Sequence, residues 1–107
     1  MGKHYLANAF SLQMLPDGDV DVAVKSISVE SVKAMLLDDF TNAIGHADTA
    51  AVVGSILGLD LQANRANIAL NKGDVLVVAQ LVGGRLPEGS TTLPEGFQLV
   101  FKLVTIV

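Results

Sequence analysis

The sequence contains no cysteine and no tryptophan, and it has only two histidines in 107 residues. Without cysteine there is no disulfide scaffold, zinc ribbon, iron–sulfur cluster or cysteine nucleophile. His4 and His46 are too few for a three-histidine metal site within one chain, although counting does not exclude two histidines with carboxylates. The chain is therefore poor in protein nucleophiles and in metal ligands.

Positive charge is also scarce, because seven Lys and Arg stand against eleven Asp and Glu, for a net charge of −4. Proteins that coat DNA or RNA carry a basic patch for the phosphate backbone, so we expect no such protein here. A small anionic ligand held by two or three contacts is compatible with this balance. No apolar run reaches about 18 residues, so we expect no membrane span, no secretory signal and a cytoplasmic location.

Half of the residues are hydrophobic, which is enough for one core in a single domain over residues 1–107. Alternating or β-branched apolar residues predict strands, and apolar residues three and four apart predict helices. The mixture predicts an α/β fold with a mixed, about five-stranded sheet flanked by short helices. The predicted strands cover residues 3–7, 20–25, 66–70, 75–82 and 97–107, and the predicted helices cover residues 28–37 and 47–57.

Two polar side chains, Asn8 and Ser11, follow the first predicted strand. The ends of strands are where α/β sheets place ligands, and both side chains can hydrogen-bond a phosphate or a ribose. The alternative is structural, since Asn and Ser are also preferred caps of helical turns. The sequence leaves both interpretations open.

His46 stands at the predicted start of the second helix, directly after Gly45. Free N–H groups and the positive end of the helix dipole suit this position to an anion. A histidine there can act as a general acid toward a phosphodiester. Gly45 permits an unusual backbone angle and the close approach of a ligand. The alternative interpretation of His46 is a capping or surface histidine.

The third polar cluster runs from Gln80 to Glu88, at the end of the predicted central strand. Arg85 is one of only two arginines, and the guanidinium fork suits a phosphate. Glu88 follows closely enough to orient Arg85 or a histidine. The alternative is a solvated loop with a weak surface ion pair. The other arginine, Arg65, precedes the predicted strand 66–70, and its structural alternative is an exposed turn residue.

Four short segments, taken in order, resemble those of one protein family. They are YLANAFSLQML at residues 5–15, NAIGH at 42–46, QANR at 62–65 and RLPEG at 85–89. Their order along most of the chain is similar to that of the viral type III anti-CRISPR ring nucleases. The resemblance implies a homodimer that binds cyclic tetra-adenylate in a pocket across the dimer interface, with no metal or other cofactor.

The resemblance also implies roles for particular residues. Members of this family cut the ring into linear di-adenylate with a 2′,3′-cyclic phosphate, which switches off type III CRISPR signalling in a prokaryotic host cell. His46 would protonate the leaving 5′ oxygen while the substrate's own 2′-hydroxyl attacks. Arg85 would hold the scissile phosphate, and Glu88 would support His46 or Arg85. The residues that would position ribose and phosphate are Asn8, Ser11, Arg65 and Gln80.

Two features depart from the pattern of that family. Gln80 lies five positions before Arg85, where relatives have four, and residues 90–96 are short and rich in Pro and Gly where relatives have a charged helix. A flexible loop is therefore expected in place of a lid helix. Two other hypotheses stay open: a module that binds cyclic oligoadenylate without cutting it, and a structural dimer whose final strand, 97–107, pairs with another chain. The sequence also leaves open whether a virus, a prophage or the host encodes the protein.

Overall fold

A computed structural model describes residues 2–107, which contain five β-strands and two α-helices. The predicted helix 47–57 and the predicted strand 75–82 are confirmed at both ends, because clear turn signals flank each of them. The elements are β1 (His4–Ala7), a 3-10 turn (Leu12–Met14), β2 (Val22–Ile27), α1 (Val29–Met35), β3 (Thr41–Asn42), α2 (Ala47–Leu57), β4 (Val75–Val82) and β5 (Gln98–Ile106).

The strands form one mixed sheet in the order β2-β5-β4-β1-β3. Strand β1 runs parallel to both β3 and β4, whereas β5 pairs antiparallel with both β4 and β2. The predicted α/β fold with a mixed, five-stranded sheet and flanking helices is confirmed. Strand β4 is central, as its nearly continuous apolar run predicts, and its residues 76–79 are buried.

Both helices pack on one face of the sheet and enclose the larger part of the core. Leu6, Val77 and Phe101 from the sheet meet Val32 of α1 and Val53 of α2, and each is at most 3% exposed. Burying a side chain of this size contributes about 1.5–3 kcal/mol relative to leaving it in water. This packing fixes α2, and therefore its first turn, against the carboxyl half of β4.

Irregular chain, rather than a helix, covers part of the opposite face of the sheet. The predicted strand 66–70 is wrong: these residues are extended coil, although Ile68 and Leu70 are buried against Tyr5 and Leu76. The alternation of buried and exposed residues in this segment indicates only which side chains face the sheet. It does not supply a strand partner, because β3 and β4 already occupy both edges of β1.

Two further sequence-based expectations change in the structure. Residues 38–42, predicted as a polar connection, contain β3, a two-residue strand at the sheet edge. The final strand is confirmed as Gln98–Ile106, but it lies between β2 and β4 and is not an edge. Its backbone groups are already paired on both sides, so the suggestion that this strand pairs with another chain is wrong. Among residues 2–107, no helix has the length and hydropathy needed to cross a membrane.

Candidate functional site

Three hydrogen bonds hold the segment that leads into α2 against the chain that returns after this helix, and a fourth lies within the segment. Asn42 accepts from the N–H of Ile44 at 3.1 Å and donates through Nδ2 to the carbonyl of Gln62 at 2.7 Å. Asn64 donates through Nδ2 to the carbonyl of Asn42 at 2.6 Å, and its N–H donates to the carbonyl of Ile44 at 2.8 Å. Residues 43–46 are therefore fixed in place although they form no regular element. The sequence analysis missed this role of Asn64.

His46 is the residue that immediately precedes α2. Its backbone carbonyl accepts the N–H of Ala50 at 2.9 Å, while its imidazole makes no capping hydrogen bond. The side chain is exposed, so the imidazole is available to a ligand at the helix N-terminus. The capping alternative for the His46 side chain is therefore wrong, whereas its exposure fits the alternative of a surface histidine.

A cavity of about 570 Å³ brings His46 together with Arg85 and Glu88. Arg85 and Glu88 come from the loop between β4 and β5, while Leu81 comes from the end of β4. The three side chains that the sequence marks for catalysis thus share one space. The other lining residues are Asp48, Thr49 and Leu86.

Glycines shape the loop that carries Arg85 and Glu88. Gly83 has φ +128°, and a Cβ placed on it would lie 3.0 Å from both the carbonyl oxygen of Gly96 and the Cα of Phe97. The loop can therefore leave β4 and return to β5 at this point only with glycine. As expected, residues 83–97 form no helix, so no lid helix covers the cavity.

Asp48 links this loop to α2, and the sequence analysis did not identify that contact. Its Oδ2 accepts the N–H of Gly89 at 3.2 Å. An acidic residue in the first turn of a helix is common, since it offsets the helix dipole. Nothing local in the sequence indicates a partner 41 positions away.

Arg65 and Gly45 contact each other and do not line the His46 cavity. The Nε of Arg65 donates to the carbonyl of Gly45 at 3.4 Å, and a Cβ on Gly45 would lie 3.1 Å from Cγ of Arg65. Gly45 does not use the left-handed backbone conformation that glycine permits, because it is not among the glycines with positive φ. Its small size makes room for the arginine stem, and Arg65 in turn braces the segment before His46.

Asn8 and Gln80 line a second cavity of about 360 Å³, together with Phe10 and Lys102. It lies on the other face of the sheet, because consecutive residues of β4 point to opposite faces and Leu81 lines the His46 cavity. Ser11 lines neither space. Its hydroxyl accepts the N–H of Gln13 at 3.2 Å, which makes Ser11 the cap of the 3-10 turn.

Comparison with known proteins places this fold and sequence in a family. A sequence model described as STIV B116-like matches residues 4–100. The chain belongs to the STIV B116-like family. This B116-like chain is 30% identical over 102 residues to uncharacterized protein 26 of the Sulfolobus islandicus filamentous virus (isolate Iceland/Hveragerdi). The match covers 92% of this chain and 86% of the relative.

Two further relatives extend the likeness to a second filamentous virus and to a solved structure. The B116-like chain is 33% identical over 99 residues to uncharacterized protein ORF116 of Acidianus filamentous virus 1 (isolate United States/Yellowstone), covering 92% of this chain and 84% of the relative. The structure of B116 of Sulfolobus turreted icosahedral virus (STIV) matches with a TM-score of 0.81 and 28% identity, over 97% of this chain and 99% of that one. The family is thus one of archaeal viral proteins, and these names state no activity.

The chemistry available in the B116-like site is that of an imidazole, a guanidinium and a carboxylate around an open space. These groups can bind an anion, move a proton and orient each other. Among residues 2–107, no group of three His, Cys, Asp or Glu side chains is arranged to hold a metal ion.

Proposed function

We propose that the protein is a metal-independent ring nuclease that cuts cyclic tetra-adenylate into linear di-adenylate with a 2′,3′-cyclic phosphate. The observation that carries this proposal is that His46, Arg85 and Glu88 line one cavity although the first two are 39 positions apart in the sequence. The resemblance of the four sequence segments to anti-CRISPR ring nucleases supports it. In a prokaryotic host, the reaction would switch off type III CRISPR signalling, which is a role suited to a viral family.

The cleavage needs orientation, charge stabilisation and one proton donor, and it needs no protein nucleophile. The 2′-oxygen of the substrate forms a bond to phosphorus, the bond from phosphorus to the 5′ oxygen breaks, and the 2′-hydroxyl proton leaves to water. His46 in its protonated form gives its proton to the departing 5′ oxygen. Arg85 binds the phosphate oxygens as their charge rises, and Glu88 orients His46 or Arg85.

A homodimer with the ring bound between two copies completes this proposal. Asn8 and Gln80 line the cavity on the opposite face of the sheet from His46, so a second copy offers a way to bring all of these groups to one ligand. Two copies also bring two Arg85 side chains to the ring, which eases the shortage of positive charge at the site of a single chain. Ser11 and Arg65 then support the site through the segments that they brace.

The test is to incubate the purified protein with labelled cyclic tetra-adenylate in the presence of EDTA and to resolve the products. We expect cleavage by the parent, and a loss of about 10²–10⁴-fold in rate for His46→Ala, the range typical of a general acid. His4→Ala is the matched control, because it removes the other histidine, which lies in β1 outside this cavity. It should cleave at the parental rate.

Each of the other outcomes has a clear meaning. Binding of the ring without cleavage by the parent would favour the alternative, a module that sequesters the messenger. Equal rates for His46→Ala and the parent would remove His46 from the chemistry. If the protein neither binds nor cuts the ring, the proposed function is wrong and the family relationship reflects the fold alone.

A further inference from the structure

Asp48 is the residue through which α2 contacts the loop that carries Arg85 and Glu88. Its Oδ2 lies 3.2 Å from the amide nitrogen of Gly89, and its side chain is half-buried at the wall of the His46 cavity. Within the part of the chain that the structure describes, one other hydrogen bond leaves loop residues 84–96, from the N–H of the adjoining Phe97 to the carbonyl of Pro94 at 3.2 Å. Of these two bonds, that of Asp48 is the one that joins the loop to a distant element.

The contact falls on the turn that presents Glu88. Residues 87–90 form a β-turn closed by the N–H and the hydroxyl of Ser90, which donate to the carbonyl of Pro87 at 3.2 and 2.6 Å. Glu88 occupies the second position of this turn and Gly89 the third, where φ is +80°. The Gly89 N–H points to Asp48, so the hydrogen bond fixes the peptide unit directly after Glu88.

The two ends of this contact differ in rigidity. Helix α2 is anchored by the buried side chains of Ala50, Val52 and Val53. The loop has no buried side chain between residues 83 and 97, and glycines with positive φ stand at both of its ends. The helix therefore positions the loop rather than the reverse, and it does so through the hydrogen bond of Asp48.

We propose that Asp48 is a positioning residue that holds Glu88 beside His46 through its hydrogen bond to Gly89. This inference rests on the proposed nuclease function, because its consequence is measured as catalysis. Asp48 does not contact the reacting atoms in this account.

The first test compares Asp48→Ala with Asp48→Asn. Alanine removes the acceptor, whereas asparagine keeps an oxygen of the same reach and removes only the charge. Because a misplacement of about 1 Å can cost about 100-fold in rate, we expect Asp48→Ala to lower kcat by about 10- to 100-fold with a smaller change in KM. Asp48→Asn should restore most of that loss. The matched control is Glu30→Ala, which removes an acidic residue from the first turn of the other helix.

A double-substitution cycle with Glu88→Ala distinguishes positioning from a general loss of stability. If Asp48 acts through the turn that holds Glu88, the double variant should be no slower than Glu88→Ala alone within about threefold. If the losses in rate of the two single variants multiply fully in the double variant, Asp48 acts independently of Glu88, and this result would overturn the proposal. Equal kcat for Asp48→Ala and the parent would also overturn it.

A readout without substrate separates this inference from the nuclease proposal. The amide resonance of Gly89 should shift, and its hydrogen exchange should accelerate, in Asp48→Ala, whereas Glu30→Ala should leave both unchanged. An unaltered Gly89 signal in Asp48→Ala overturns the contact itself. A parent that does not cut the ring overturns the proposed function and the catalytic role of Asp48 together. An active parent with an equally active Asp48→Ala overturns the positioning role alone.

Discussion

At the scale of single residues, Asp74 is the only buried charged side chain among residues 2–107. Its two carboxylate oxygens accept the N–H groups of Lys3 at 2.8 Å and of Asn71 at 2.9 Å. The Lys3 N–H holds the pKa of Asp74 below its ordinary value of 3.8, assisted by Asn71, although burial acts in the opposite direction. The carboxylate therefore ties the chain before β1 to the turn before β4.

This arrangement predicts a stability that depends on the charge of Asp74. The pKa of Asp74 in the folded protein is below 3.8. The contribution of its carboxylate to the free energy of unfolding is therefore complete above pH 3.8 and is lost as the pH falls through the folded pKa. Asp74→Ala should lower the free energy of unfolding at pH 7 by about 1.5–3 kcal/mol, the usual contribution of hydrogen bonds to a charged group. Urea unfolding between pH 7 and pH 2 checks this, with exposed Asp17→Ala as the control. An equal loss from both variants would contradict it.

At the scale of elements, the loop between β4 and β5 is restricted where it meets the strands and open in its middle. Gly83 and Gly84 both have φ near +120°, a conformation that disfavours any side chain. Only Gly83 is also in close contact, since a Cβ there would lie 3.0 Å from the backbone of residues 96 and 97, while Gly84 has nothing within 4 Å. Glycine is therefore required at position 83 for two reasons: the backbone has a positive φ, and there is no room for a Cβ.

Substitution by alanine should therefore lower the free energy of unfolding by different amounts at Gly83 and at Gly84. Gly84→Ala should lower the free energy of unfolding by about 1–3 kcal/mol through backbone strain. Gly83→Ala should cost the same strain and about 1–3 kcal/mol more, because the backbone of residues 96 and 97, just before β5, must move away from the new methyl group. Denaturant unfolding of both variants measures the difference directly. Equal losses would indicate that the start of β5 shifts without cost.

At the scale of the whole molecule, the two cavities lie on opposite faces of the sheet. His46, Arg85 and Glu88 line one, whereas Asn8 and Gln80 line the other. The proposed homodimer predicts that a working site combines the first cavity of one protomer with residues 8 and 80 of its partner. A site contained within one chain predicts the opposite result when inactive chains are mixed.

Coexpression of two inactive variants decides between these arrangements. Under the proposed dimer, His46→Ala with Gln80→Ala should recover about a quarter of parental activity, since about half of the dimers are mixed and each has one intact site of two. His46→Ala with Arg85→Ala is the control and should recover nothing, because both residues line the same cavity. Equal activity in the two mixtures would rule out a shared site.

The accuracy of the sequence-based predictions follows the range over which each signal acts. Helix α2 and strand β4 could be placed at both ends because hydrophobic period, a glycine cap at Gly58 and the turn at 71–74 are local signals. The predicted strand 66–70 is wrong because alternating burial looks the same in a strand and in an extended segment that lies across a sheet face. Local sequence pattern predicted neither the order of the strands in the sheet nor the position of β5 between β2 and β4.

The candidate site shows the same division. The residue types of His46, Arg85 and Glu88, and their places at a helix start and in a glycine-rich loop, were readable from the sequence. The use of Ser11 as a cap was one of the two alternatives that the sequence offered, whereas the contact of Asp48 with Gly89 and that of Arg65 with Gly45 were not readable. Each of these depends on a hydrogen bond whose partner and geometry come from the folded backbone.

The sequence by itself determined both helices, four of the five strands, the apolar character of the core and the chemical groups available to a ligand, because these follow from composition and from periodicity over a few residues. Only the tertiary structure decided which polar groups meet. Strand alternation places Gln80 and Leu81 on opposite faces, and the packing of α2 on β4 brings His46 to the loop that carries Arg85. Such meetings are set by the packing of distant segments, which no local pattern of residues encodes.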